Sequence, residues 1–190
     1  SFGLQGYSNR RLAGRILPFV RQKRIPFLFT LRRCVKDYSF SVEIWIWGDN
    51  SFEQLGSGIV ADFQAVPTRL ADKDGGAVND DEWISIAAGA DYALGVHSSS
   101  AGAPWGYIYG WGRNAVHQLG LGHTANPVAA PSLVPGATLW RSVEAGTTSS
   151  FGIDSNFYLH AWGQGPFGGL GLGSSSGTSI VEVSSPTKVV

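Results

Sequence analysis

The sequence contains a single cysteine, Cys34, and no methionine among its 190 residues. One cysteine excludes an intrachain disulfide, which favours a reducing compartment, the cytoplasm or the nucleus. No apolar run is long enough for a membrane-spanning helix, which takes about 20 residues. An encoded chain begins with methionine unless it is processed, so we expect a fragment or a processed product.

Charged residues are also scarce, at 15% of the chain, against a usual share of about a quarter. Glycine, by contrast, supplies 26 residues and the aromatic residues 12%. Many glycines and aromatics with few charges are typical of short strands joined by tight turns. The composition therefore argues against long charged helices.

The net charge of zero hides an asymmetry between two regions. Residues 1–36 contain nine Arg and Lys residues and no Asp or Glu, whereas the remainder has five basic and fourteen acidic residues. We therefore predict a basic N-terminal segment over 1–36 and a second unit over 37–190. The segment is compatible with an organelle transit peptide, a tail that binds nucleic acid, or an artefact of sequence assembly, and its residues do not decide among these.

An internal repeat dominates the second unit. A Trp-Gly pair recurs at 47, 111 and 162, and a Leu-Gly pair recurs with the same spacings at 55, 119 and 170. The pairs delimit three glycine-rich loops, 47–58, 111–122 and 162–173. The signature residues are Trp47, Gly48, Asn50, Gln54, Leu55, Gly56, Gly58, Trp111, Gly112, Asn114, Gln118, Leu119, Gly120, Gly122, Trp162, Gly163, Leu170, Gly171 and Gly173.

Strand-like segments lie between these loops. Residues 83–89 match 140–146, and both alternate apolar with polar or small residues, as half-buried strands do. A proline follows each loop, at Pro67, Pro131 and Pro186. Repeated units of several short strands predict an all-β fold made of propeller blades.

The pattern Trp-Gly-x-Asn-x-x-x-Gln-Leu-Gly-x-Gly, at 47–58 and 111–122, resembles the repeats of the regulator-of-chromosome-condensation family. The resemblance covers about 37–190. It implies a partial β-propeller with four-stranded blades, of which the complete family fold has seven. Three copies cannot close such a ring, so we expect either a fragment or self-association through open propeller edges.

The sequence departs from the family pattern at several places. Glu53 and Val116–His117 replace part of the family's usual Asn-x-x-Gly-Gln. Light sensing, which a plant protein resembling this family performs with Gly-Trp-Arg-His-Thr motifs, is not expected. The residues after Gly89 and Gly146 contain neither the Trp nor the Arg of those motifs, so the tryptophans are predicted to be core residues.

No residue pattern indicates a catalytic, cofactor or metal site. Residues 163–168 fit Gly-x-Gly-x-x-Gly, but no helix is predicted after them to receive a pyrophosphate. The four histidines lack neighbouring ligands for zinc. One acidic cluster fails the EF-hand template; a loose calcium site is the alternative, but a solvated insertion loop that serves as an interaction loop is predicted. Its residues are Asp72, Asp74, Asp80, Asp81 and Glu82.

We therefore predict a non-catalytic protein-interaction scaffold, with contact loops in the variable stretches 57–82, 97–106 and 173–184. The family resemblance implies two alternatives. One is guanine-nucleotide exchange on a small GTPase as partner. The other is binding of chromatin or nucleic acid through the basic N-terminus, although the acidic remainder makes nucleic acid the less expected partner.

Overall fold

The computed structural model describes residues 27–34, 40–56, 61–70, 83–100, 103–175, 178–179 and 181–189. In these ranges the chain forms thirteen β-strands and one short 3-10 helix, Pro166–Gly168, and no α-helix. The prediction of an all-β fold is confirmed. None of the described residues forms a helix that could span a membrane.

The strands are numbered in the order in which they follow one another along the chain. Their bounds are β1 Phe27–Cys34, β2 Phe40–Asp49, β3 Phe63–Arg69, β4 Trp83–Ala88, β5 Tyr92–Ser98, β6 Gly106–Gly112, β7 Val128–Leu133, β8 Trp140–Ala145, β9 Ser149–Asp154, β10 Leu159–Gln164, β11 Ser174–Ser175, β12 Thr178–Ser179 and β13 Glu182–Lys188.

Antiparallel pairing groups the strands into blades. Strands β4, β5, β6 and β7 form one four-stranded meander, and β8, β9, β10 and β13 form the next. A single bridge, Gly106 with Trp140, connects the two. Strands β1, β2 and β3 form a separate three-stranded sheet, which we call the first blade and in which β2 and β3 have the places of β6 and β7. The described part of the chain thus contains two four-stranded blades and a three-stranded first blade.

Strand β1 lies within the segment that the sequence assigns to the basic N-terminus. It pairs with β2 over its whole length, from Phe27 opposite Trp47 to Cys34 opposite Phe40. The backbone of 27–34 therefore belongs to the first blade. The boundary between the two predicted regions stays a prediction, because residues 1–26 and 35–39 lie outside the described ranges.

The repeat extends to the irregularities of the sheets. The register shifts between Ile46 and Gly48 in the first blade, between Gly110 and Gly112 in the second, and between Ala161 and Gly163 in the third. At each shift one residue, the signature tryptophan, lies opposite three residues of the partner strand, and those three include the proline of the repeat. Such bulges bend a strand and redirect its side chains.

The hydrophobic core lies between neighbouring blades. One buried cluster joins Ile44, Ile46 and Leu55 of the first blade to Trp83 and Trp111 of the second. A second cluster joins the second blade to Trp140, Val143 and Trp162 of the third. Each blade therefore depends on its neighbour to bury its apolar face.

Candidate interaction faces

Each blade has two ends, which differ in structure. The glycine-rich loops leave the ends of β2, β6 and β10, and we call this end the loop face. The connections of the β5–β6 and β9–β10 hairpins lie at the opposite end, which we call the turn face.

In the first loop, two buried amide side chains hold the backbone. Asn50 Nδ2 donates to the carbonyl of Ala61 at 3.0 Å, and Asn50 Oδ1 accepts from the amide of Leu55 at 3.0 Å. Gln54 Oε1 accepts from the amide of Phe52 at 2.8 Å. These bonds satisfy backbone groups that cannot join a strand ladder.

The second loop repeats this arrangement. Asn114 Nδ2 donates to the carbonyl of His123 at 2.7 Å, and its Oδ1 accepts from the amide of Leu119 at 3.1 Å. Gln118 Oε1 accepts from the amide of Val116 at 3.0 Å. Asn114 and Gln118 are buried, so these signature side chains stabilise the loop from inside.

The signature tryptophans connect each blade to the loop before it. The indole Nε1 of Trp111 donates to the carbonyl of Gln54 at 3.0 Å, and that of Trp162 donates to the carbonyl of Gln118 at 3.1 Å. Both rings are fully buried. The second and third tryptophans of the repeat therefore set the spacing between neighbouring blades.

The hydroxyl of Tyr92 adds another contact between blades. It donates to the carbonyl of Ser149 at 2.8 Å and lies 2.9 Å from Ser150 Oγ. Burial raises the pKa of Tyr92 to about 12, and the hydrogen bond with Ser150 offsets part of that rise. Tyr92 thus stays un-ionised and bridges the second and third blades at neutral pH.

The third loop is built differently. Gly165 and Gly169 occupy the positions of the Asn and Gln, and the chain forms the 3-10 helix Pro166–Gly168 there. Phe167, in that helix, has a positive φ of 57° and is fully exposed. The loop therefore holds its shape without the two amide side chains.

The first two loops lack a glycine at a position where the backbone has a positive φ. Glu53 has a φ of 58° and His117 a φ of 60°, and Gly168 occupies the equivalent position of the third loop with a φ of 77°. A side chain with a Cβ disfavours this left-handed conformation. The family's glycine at this position therefore has a backbone reason.

Most other predicted signature residues lie inside the blades. Leu55, Leu119 and Leu170 are fully buried, and the glycines after them have positive φ. Gly58 and the predicted interaction loop lie outside the described residues, so nothing in the structure tests them. That loop consists of Asp72, Asp74, Asp80, Asp81 and Glu82.

At the turn face, the second and third blades bring five side chains together, which we call the aromatic–cation cluster. Its members are Trp105, Arg141, Phe157, Tyr158 and Lys188. The guanidinium of Arg141 lies 3.4 Å from the ring centre of Trp105 and 3.5 Å from that of Phe157. The ammonium of Lys188 lies 3.1 Å from the ring centre of Tyr158.

The turn that carries Phe157 and Tyr158 is held by a buried carboxylate. Asp154 Oδ1 accepts from the amides of Asn156 and Tyr158, at 2.8 and 2.9 Å, and Oδ2 lies 3.1 Å from His160 Nε2. Burial raises the pKa of Asp154, but the hydrogen bonds from Tyr158, His160 and Asn156 outweigh it and leave the pKa below its usual value. The carboxylate is therefore ionised at neutral pH.

Sequence reasoning did not find the aromatic–cation cluster. Only Trp105 lies in a stretch that was predicted to be variable, 97–106. Arg141 and Lys188 belong to strands, and Phe157 belongs to a short turn. No spacing signal brings these residues together, because the contacts arise only when two blades pack side by side.

The described residues offer little for catalysis or metal binding. Among them, no three His, Cys, Asp or Glu side chains form a group that could hold a metal ion. His117 lies 3.5 Å from Glu182, and His123 Nδ1 accepts from the amide of Ala125. The predicted Gly-x-Gly-x-x-Gly segment runs into the 3-10 helix rather than an α-helix.

Comparisons of this sequence with a family model and with known proteins agree on one family. The model of the regulator of chromosome condensation (RCC1) repeat matches residues 43–96 and 106–153. The Arabidopsis thaliana ultraviolet-B receptor UVR8 is 30% identical over 149 residues, which is 74% of this chain and 30% of that protein. The human probable E3 ubiquitin-protein ligase HERC6 is 28% identical over 97% of this chain and 18% of its own length. The chain thus spans less than a third of these relatives.

Solved structures show the same fold. Yeast RCC1 (Prp20) bound to Kap60 has a TM-score of 0.61 at 24% identity, covering 84% of this chain and 34% of that one. Prp20p from Saccharomyces cerevisiae, studied for its binding to Gsp1p and histones, has a TM-score of 0.62 at 23% identity, covering 88% and 39%. At this identity the likeness concerns the propeller fold.

Proposed function

The chain belongs to the regulator of chromosome condensation (RCC1) repeat family, and on that basis we propose that it is a non-catalytic protein-interaction scaffold. The observation that carries the proposal is the division of roles between its residues. The signature side chains face inward and hold loops and blades together, whereas the end faces differ from blade to blade.

The end faces have the features of recognition surfaces. On the loop face the third loop differs from the first two, because it exposes Phe167 where they have buried amide side chains inside the loop. On the turn face two blades contribute aromatic and cationic side chains. Variable loops on a rigid framework are where binding residues concentrate.

The similarity to HERC6 does not imply that the repeats themselves are catalytic. HERC6 is named a probable ubiquitin-protein ligase, but this chain covers only 18% of it. Recognition by a propeller needs surface complementarity rather than an acid, a base or a metal.

Affinity capture followed by reconstitution tests the proposal. We expect the full chain to bind a partner stoichiometrically, and the purified partner to bind the purified chain in calorimetry. At least one surface variant, Phe157→Gly on the turn face or Phe167→Gly on the loop face, should weaken that binding. If no captured protein rebinds the purified chain, the scaffold function is wrong.

Guanine-nucleotide exchange is the second candidate. It is supported by the fold shared with Prp20p, which was studied for binding to Gsp1p. Exchange would appear as faster release of a fluorescent guanine nucleotide from a purified small GTPase when the chain is added. An unchanged release rate across a panel of such GTPases would eliminate it.

A further inference from the structure

The turn between β9 and β10 presents apolar surface to solvent. Phe157 is 71% exposed and Tyr158 is 49% exposed. Phe157 also has a positive φ of 67°, which a residue with a side chain adopts at a cost in free energy. Strained residues that carry an exposed ring concentrate at binding sites, because the surrounding structure must hold them there.

The surface beside this turn carries a net positive charge. Arg141 and Lys188 contribute two cations, and Asp154, the acidic residue of the turn, is buried against His160 and two backbone amides. Arg141 donates from Nε and Nη2 to the carbonyl of Ser155 and retains further N–H donors. A carboxylate approaching this surface therefore meets two cations.

The arrangement favours a protein segment over a nucleic acid. Because Arg141 lies between Trp105 and Phe157, it covers one face of each ring that a base would stack on. Residues 37–190 also carry five basic and fourteen acidic side chains, which repel a long polyanion. A short segment with few carboxylates avoids most of that repulsion.

We propose that the aromatic–cation cluster binds an acidic protein segment that also presents an apolar side chain. The apolar side chain contacts Phe157 and Tyr158, and the carboxylates pair with Arg141 and Lys188. Tryptophan, tyrosine and arginine are the residues that most often dominate binding energy at interfaces. The inference rests on the scaffold function proposed above and names its partner's chemistry.

Fluorescence anisotropy of labelled probes on the full chain tests the inference. The probes are a short peptide alternating Glu with Leu and Phe, the same peptide with Lys for every Glu, and an oligouridine. We expect the Glu peptide to bind about tenfold more tightly than the Lys peptide, with an affinity that falls as salt is added.

Two variants of the cluster and one matched control sharpen the test. Phe157→Gly removes the ring and relieves the positive φ, so it leaves the fold intact, and it should weaken the Glu peptide about tenfold. Lys188→Glu should weaken it about threefold or more and reduce its dependence on salt. The control Phe167→Gly removes an exposed aromatic with the same backbone conformation from the opposite face and should change the affinity less than about twofold.

Several results would overturn the inference: equal binding by Phe157→Gly and the wild type, equal or tighter binding of the Lys peptide, binding of the oligouridine that Phe157→Gly weakens as much as it weakens the Glu peptide, or no binding of the Glu peptide. These are distinct from failure of the scaffold function. If purified partners bind but the Phe157→Gly variant binds them normally, the scaffold stands and the turn face is not its site.

Discussion

At the residue scale, the most informative departure from the family pattern is Glu53. Its φ of 58° lies in the left-handed region, where glycine is free of the steric cost of a Cβ. His117 has the equivalent position in the second loop and the same backbone conformation. The family glycine is therefore a requirement of the backbone that this chain meets at a cost in stability.

We predict that Glu53→Gly raises the free energy of unfolding by about 0.5–1 kcal/mol, because the left-handed strain removed exceeds the entropy that glycine adds to the unfolded chain. Glu53→Ala removes the same carboxylate but keeps the Cβ, so it should bring no such gain. Urea unfolding of both variants measures the difference. Equal free energies of unfolding for Glu53→Gly and Glu53→Ala would show that the backbone at Glu53 is not strained.

Asp154 gives a pH prediction at the same scale. Its folded-state pKa lies below the unfolded value, so its stabilisation is fully present above the unfolded pKa of about 3.9 and is lost as pH falls through the folded pKa. Asp154→Asn should therefore cost about 2 kcal/mol near neutral pH and progressively less under acidic conditions. Thermal unfolding of both proteins across pH checks this, and a difference that is constant with pH would contradict it.

At the scale of the element, the glycine-rich loops depend on buried amides. Asn114 is fully buried and bonds to two backbone groups that have no ladder partner. The third loop lacks both the Asn and the Gln and instead forms a 3-10 helix. The same loop of the repeat can thus be built either around buried amide side chains or with a 3-10 helix.

Asn114→Ala should destabilise the chain by about 1–3 kcal/mol, because it leaves the buried amide of Leu119 and the partly buried carbonyl of His123 without their side-chain partner. Asn156→Ala, at an exposed turn position, serves as the control and should stay within about 0.5 kcal/mol of the wild type. Denaturant unfolding gives both values. If Asn114→Ala loses no more stability than Asn156→Ala, then water replaces the hydrogen bonds of the Asn114 side chain.

The sequence was sufficient to predict the repeat, the all-β class and the blade architecture. Each of Trp47, Trp111 and Trp162 precedes a Leu-Gly pair by the same spacing, so the same local pattern occurs three times. The pairing of β1 with β2 could not be predicted, because 27–34 matches no repeat landmark. The aromatic–cation cluster was also missed, since Trp105 and Arg141 meet only through the contact between two blades.

At the scale of the whole molecule, stability lies in the interfaces between blades. Trp140 belongs to the buried cluster that joins the second and third blades, with its ring 6.1 Å from that of Trp162. Its ring also lies over Gly152, where an added Cβ would come within 2.9 Å of the indole. A change at Trp140 therefore affects both blades.

We predict that Trp140→Ala lowers the free energy of unfolding by about 3–5 kcal/mol. Because the cavity lies between blades, amide-exchange protection should fall in β5 as well as in β9. Trp105→Ala, a half-buried tryptophan at the turn face, provides the comparison and should cost less. Loss of protection confined to β8 and β9 would mean that the blades are independent units.

We expect an inner framework to stabilise the molecule and an outer face to bind its partner. Calorimetric titration of a purified partner against Asn114→Ala and Phe157→Gly, below the unfolding temperature of both, tests this division most directly. We predict that Asn114→Ala binds as the wild type does despite its lower stability, whereas Phe157→Gly is as stable as the wild type and binds about tenfold more weakly. Weakened binding by Asn114→Ala together with unchanged binding by Phe157→Gly would contradict the account.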